Sequence, residues 1–145
     1  AKRSKDLNLI GFGANCGIGA PDLLATINDI SKSVDPGTVV ISKANCGIPE
    51  FVDGSIVYSG TEELMSQYVK IAMNSGAKII GGCCGTSFDH VRAMRNAMDN
   101  HIVASAPTLE EIEEKVGAMS EGSRSIFKGD DSKPTKQRRS RRART

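Results

Sequence analysis

Ala77-Lys78-Ile79-Ile80-Gly81-Gly82-Cys83-Cys84-Gly85-Thr86 is the stretch on which the fold turns. It opens as a short apolar strand, passes into a glycine-rich loop, and meets a helix signal in Thr86 with Asp89 three residues on. Val91, Met94 and Met98 would form the inner stripe of that helix. Strand, loop and helix in this order make one β/α unit.

Two more units lie upstream. Leu7-Asn8-Leu9-Ile10-Gly11-Phe12 predicts a buried strand that runs into the turn-prone Gly13-Ala14-Asn15-Cys16-Gly17. A helix follows, with Pro21 and Asp22 in its first turn and Leu23, Leu24, Ile27 and Ile30 on one face. Thr38-Val39-Val40-Ile41-Ser42 predicts the second strand and ends in Ala44-Asn45-Cys46-Gly47-Ile48, an echo of Ala14-Asn15-Cys16-Gly17-Ile18. The helix paired with it runs from about Thr61 to Ser75, with Thr61 as N-cap and Gly76 where a left-handed C-cap belongs. Between them Asp53-Gly54, flanked by apolar pairs, predicts a small hairpin decorating a loop.

Beyond the third unit, Ile102-Val103 predicts a short strand. A last helix follows, with Thr108 and Glu111 as a capping box and Leu109, Ile112, Val116 and Met119 as its apolar face. Short all-apolar strands alternating with amphipathic helices imply an α/β fold with a parallel sheet, because parallel strands need crossover connections. Open sheet and closed barrel both satisfy the pattern, and three units are too few to close a barrel of eight.

With 39% hydrophobic and 25% charged residues, most of the chain should be globular. Charge divides it. From Gly122 onward there are nine Lys or Arg against two Asp, whereas residues 1–121 hold ten basic and fifteen acidic residues. This sets an expected boundary: a folded body over 1–121 and a disordered basic tail over 122–145. The run Lys136-Gln137-Arg138-Arg139-Ser140-Arg141-Arg142-Ala143-Arg144 could meet nucleic acid or an anionic surface, but no aromatic residue stands there to stack on bases. No apolar run reaches the roughly 18–20 residues of a membrane span and no signal peptide precedes the first strand, so a cytoplasmic protein is expected. The chain opens without Met, just ahead of an apolar run, as a fragment or a processed product would.

In a reducing compartment four cysteines are thiols, metal ligands or small core residues rather than disulfides. Cys16 and the pair Cys83-Cys84 would sit just beyond the C-terminal ends of parallel strands, where α/β folds gather reactive groups. Neighbours in a regular strand face opposite ways, so Cys83 and Cys84 can share one ion only where the backbone has left the strand. Gly81, Gly82 and Gly85 supply that freedom. Three thiolates suit zinc and leave a fourth position for water or substrate. Two other readings stand beside it: a closed structural zinc site with Cys46 as fourth ligand, and four metal-free thiols.

Gly13-Ala14-Asn15-Cys16-Gly17, Asn45-Cys46-Gly47-Ile48-Pro49-Glu50 and Gly81-Gly82-Cys83-Cys84-Gly85-Thr86 together resemble the motifs of the homocysteine S-methyltransferase family, in order over about residues 7–100. The resemblance implies the last three β/α units of a TIM-type barrel, followed here by a terminal helix. It implies that Cys16, Cys83 and Cys84 bind zinc, with Cys46, often Ala in the family, a passenger. The first half of such a barrel, which in relatives contacts the amino group of homocysteine and the methyl donor, has no counterpart in this chain. Self-association or the rest of the barrel would have to complete the site.

On that resemblance the activity is zinc-dependent methyl transfer to homocysteine, giving methionine. The chain ends in a basic tail rather than in folate and cobalamin modules, which favours betaine or S-methylmethionine as donor; betaine is the first choice, S-methylmethionine the second and a methyltetrahydrofolate/cobalamin route the third. Asn15, Asn45 and Gly82 are candidate substrate contacts, the two asparagines equally suited to turn chemistry. A zinc-stabilised nucleic-acid-binding module is the non-enzymatic alternative. His90 and His101 read as surface or packing residues, and Glu110, Glu111, Glu113 and Glu114 as a solvated helix face.

Overall fold

A computed structural model describes residues 6, 7 and 9–129. In chain order the elements are β1 (Gly11–Asn15), α1 (Ala20–Ser33), β2 (Val39–Ala44), β3 (Pro49–Val52), β4 (Ser55–Tyr58), α2 (Glu62–Asn74), β5 (Ile79–Gly82), α3 (Phe88–Asn100), α4 (Leu109–Val116) and α5 (Glu121–Phe127). The sheet is parallel, in the order β1-β2-β5, with Asn15 beside Lys43 and Lys43 beside Gly81. Each parallel pair is joined through a helix, as the alternation of apolar strands and amphipathic helices requires. The mixed α/β class expected from the sequence is the one observed.

The helices cover one face of the sheet. Val40, Ser42 and Ala44 point into that layer and are buried, alternating with Ile41 and Lys43 on the other face. Leu24 and Ile27 of α1 and Met65, Tyr68 and Ile71 of α2 are fully enclosed. Each such side chain contributes about 1.5–3 kcal/mol through burial. The Tyr68 hydroxyl meets Ser42 Oγ at 2.6 Å, so this buried polar pair satisfies itself. Thr61 caps α2 by accepting from the Leu64 amide, and Gly76 has the left-handed φ of 93° expected of it.

The hairpin of β3 and β4 is present as a separate two-stranded sheet, turned by Asp53 (φ 47°) and Gly54 (φ 82°). Two consecutive positive φ values are what a two-residue hairpin turn of matching twist needs.

Several expectations are corrected. The first strand lies at Gly11–Asn15, not Leu7–Phe12, and Leu7, Leu9 and Ile10 are exposed. Pairing rather than hydrophobicity selects it: Gly11 and Gly13 lie so close to β2 that a Cβ on Gly13 would stand 1.7 Å from the Ile41 carbonyl oxygen. The cap of α3 is Ser87, not Thr86; His90 completes its capping box by accepting from the Ser87 amide at 3.0 Å. Val91 is exposed, because α3 packs chiefly on α2 through Met94 and Ala97. Ile102 and Val103 form no strand and are exposed.

The Thr108–Glu111 capping box is as expected, and Leu109, Ile112, Val116 and Met119 are buried. Order then continues past the expected limit at residue 121, since α5 packs on α1. Its composition is polar, but its anchors are tertiary: Ser120 is bonded by Asp22, Arg124 pairs with Glu113 at 2.7 Å, and Phe127 lies under Lys32. Glu113 also accepts from the Met119 amide, so the acidic run is not wholly a solvated face. The basic run over 136–144 lies outside the described residues. Among the described residues no helix is long and apolar enough to cross a membrane.

Candidate metal centre

The C-terminal ends of β1 and β5 flank that of β2, so side chains leaving them converge above the central strand. Cys16 extends the ladder by one step, its amide donating to the Lys43 carbonyl at 2.9 Å. It then turns with φ 64° into Gly17 at φ 93°. A non-glycine residue in this region costs on the order of 1–3 kcal/mol and persists where the surroundings over-determine it.

Across the sheet, the Cys83 amide donates to Ala44 O at 2.7 Å, and Cys84 O accepts from the Cys46 amide at 2.9 Å. The pair is strapped to the end of β2 rather than continuing β5, which ends at Gly82. The backbone has left the strand, and two adjacent cysteines are thereby free to face one point.

They do so. Cys16 Sγ lies 3.7 Å from Cys84 Sγ, Cys83 Sγ lies 3.9 Å from Cys84 Sγ, and all three sulfurs fall within 4.8 Å of one another. This is a cluster able to hold a metal ion, and among the described residues no fourth Cys, His, Asp or Glu joins it. Cys46, despite the sequence echo, is fully buried in the core. His90 caps α3, and His101 pairs with Asn74 at 2.8 Å.

Ionisation is divided within the trio. The Cys16 thiol is lowered below its ordinary value, first by its hydrogen bond with Cys84, then by the Gly17 amide and Cys83. For Cys84 the Tyr58 hydroxyl acts downward, but the bonds to Cys16 and Cys83, burial and the charge on Cys16 outweigh it, and the thiol is raised. Cys16 therefore gives up its proton before Cys84. The Cys46 thiol is raised by burial alone.

Asn45 and Asn15, both candidate substrate contacts, differ sharply. Asn45 is 1% exposed, its Nδ2 donating to Gly17 O at 3.0 Å while its Oδ1 accepts from the Cys84 amide at 3.3 Å. It thus ties the loop of Cys16 to the loop of Cys84. Asn15 ends β1 exposed. Gly82 has a packing role: a Cβ there would stand 2.3 Å from the Thr86 side chain.

Tyr58 was not among the residues singled out from the sequence. The last residue of β4, it pairs with Pro49. Its ring lies against Gly85, where a Cβ would come within 2.4 Å of Tyr58 Cγ. A signal for it existed: the Asp53-Gly54 turn sets a register that returns Tyr58 to the loop after β2.

Asparagine strut, glycine-freed cysteine pair and strand-end thiol together make a sulfur site at the carboxyl edge of a parallel sheet. The family model described as homocysteine S-methyltransferase matches residues 1–98, about two thirds of the chain and all of the trio. The chain belongs to the homocysteine S-methyltransferase family.

Proposed function

We propose that this chain supplies the zinc-holding part of an enzyme that transfers a methyl group to homocysteine, giving methionine, with betaine as the donor. The reading is carried by the convergence of Cys16, Cys83 and Cys84 from two strand ends. A tetrahedral ion with Zn–S bonds of about 2.3 Å separates its sulfurs by about 3.8 Å. The spacings of 3.7 and 3.9 Å about Cys84 match that value, and the remaining pair, Cys16 and Cys83, lies within 4.8 Å. Soft sulfur donors favour zinc over the oxygen-loving cations.

With three protein ligands a fourth position remains for the acceptor thiol, whereas the closed four-cysteine site of a structural module would need Cys46, which lies in the core. Zinc bound there would supply the Lewis acidity that keeps an acceptor sulfur ionised near neutral pH. The chain's own residues hold the arrangement: Asn45 fixes the separation of the two loops, Gly81 and Gly82 free the cysteine pair, and Gly85 makes room for Tyr58. The acceptor thiolate displaces the donor from the methyl carbon, and the bonding pair leaves with the donor.

We infer further that these three β/α units form part of a larger β/α barrel. Supporting this, one face of the sheet lies exposed at Gly13, Lys43 and Ile79, and a groove between β5 and α3 is lined by Ile79, Ile80, Val91, Met94 and Met98. A further strand and helix would cover both. Zinc content tests the centre. About one zinc per chain is expected, lost in Cys16→Ala, Cys83→Ala and Cys84→Ala and kept in Cys46→Ala; full retention by Cys16→Ala would reject the reading. Transfer of a labelled methyl group from betaine, S-methylmethionine or methylcobalamin to homocysteine identifies the donor.

A further inference from the structure

Lysine is out of place on the central strand of a parallel sheet. Such strands are near-continuously apolar, and β2 follows the rule at Val39, Val40 and Ile41 but carries Lys43 one residue before its end. Lys43 points away from the helix layer, on the exposed face of the sheet. In register with it stand Asn15 on β1 and Gly81 on β5, so an amide, an ammonium and a gap without a side chain form one row. The lysine stem runs beside Gly81, where a Cβ would stand 3.5 Å from Lys43 Cγ and 3.7 Å from Cε.

This row has no anion of its own. Besides Lys43 and Asn15, the strand residues on this face are glycine or aliphatic. Among the described residues, no ion pair or side-chain hydrogen bond engages Lys43 or Asn15. Closure of the sheet into the larger barrel proposed above would enclose this face, and an enclosed ammonium needs a counter-charge.

The row also adjoins the sulfur trio. Cys16 follows Asn15 directly, and its amide donates to the Lys43 carbonyl at 2.9 Å; Cys83 comes two residues after Gly81. Along the strands these steps amount to about 3–7 Å. The sulfur and carboxyl carbon of homocysteine are joined by four bonds, about 5 Å end to end. A thiol held at the trio can therefore bring its carboxylate to this row.

We propose that Lys43, with Asn15 beside it, is the carboxylate-binding subsite of this centre: the ammonium and the carboxamide N–H donate to the carboxylate of a substrate whose reacting group lies at the metal. A bond between ionised partners is stronger than a neutral one, and Gly81 leaves room for the ligand. Homocysteine and betaine both carry this group. The inference rests on the zinc reading above.

The test uses the full chain loaded with cobalt in place of zinc, whose sulfur-to-metal charge-transfer band reports a thiol joining the site. Homocysteine is compared with 3-aminopropanethiol, the same thiol and amine without the carboxylate, in the wild type, Lys43→Met and Lys43→Arg. The expected result is a wild-type preference for homocysteine that falls about tenfold in Lys43→Met, the loss of one charge-assisted hydrogen bond, and is largely kept in Lys43→Arg. Calorimetric titration with betaine and with choline, which lacks the carboxylate, makes the same comparison for the donor. A preference lost in the first pair assigns the acceptor's carboxylate to Lys43, and one lost in the second assigns the donor's. Ratios unchanged by Lys43→Met in both pairs, or no wild-type preference in either, overturn the proposal. Equal weakening of both members of a pair means that Lys43 supports only the fold, and also overturns it. Metal content is measured first, so that a chain which binds none overturns the zinc reading rather than the role of Lys43.

Discussion

Replacing Asn45 by Ala separates two accounts of this residue. Its carboxamide is 1% exposed and bridges Gly17 O at 3.0 Å and the Cys84 amide at 3.3 Å. Truncation leaves both backbone groups without their partner. An unsatisfied buried group costs about 1–3 kcal/mol. Gly17 is exposed and water can replace the lost donor there, so its share falls near the lower end. The expected destabilisation of the metal-free chain is therefore about 2–3 kcal/mol, read from urea unfolding.

The same bonds set the distance between the loops of Cys16 and Cys84, and removal of such outer contacts typically costs 10–100-fold in metal affinity. Competition with a chromophoric chelator should show zinc binding weaker by about that factor, with Asn15→Ala close to wild type. If Asn45 were a substrate contact only, Asn45→Ala would leave stability and zinc affinity unchanged and weaken acceptor binding alone. That outcome would refute the strut.

Other consequences are as direct. Gly82→Ala should destabilise by about 1–3 kcal/mol through overpacking against Thr86, whose Cγ2 and Oγ1 lie 2.3 Å and whose Cβ lies 2.6 Å from the new Cβ, read as a fall in the thermal unfolding midpoint. In the metal-free protein, alkylation of Cys16 should begin at lower pH than that of Cys84, because one thiol is lowered and the other raised; identical pH profiles would contradict the geometry. Cys46 should resist alkylation in the native state. Its folded pKa is raised, so its contribution to stability is present below the ordinary thiol pKa and is lost as pH rises through the folded value; Cys46→Ala should lessen the alkaline fall in unfolding temperature. Tyr68→Phe should cost about 1 kcal/mol in urea unfolding by leaving the Ser42 hydroxyl unpaired in the core.

The strand-loop-helix order, the caps at Thr61 and Thr108, the Asp53-Gly54 turn and the gathering of Cys16, Cys83 and Cys84 at one sheet edge are all legible in the chain, because each depends on residues close in sequence or on the parallel sense of β/α units. What lies between neighbouring elements is not. Cys16 and Cys46 share the same pentapeptide, yet one turns outward at φ 64° into the sulfur trio and the other is enclosed, since Cys46 follows the central strand with its amide bonded to Cys84 O and its carbonyl to the Gly60 amide. The first strand sits at Gly11–Asn15 because backbone approach to β2 outweighs the hydrophobicity of Leu7–Ile10. The polar α5 is ordered by Asp22, Glu113 and Lys32, residues far from it in sequence. Local chemistry specifies which elements form and where thiols can collect. Only packing decides which thiol turns toward its partners, which asparagine becomes a strut, and which tyrosine reaches the cysteine loop, because those outcomes depend on contacts between segments that meet only in the folded chain.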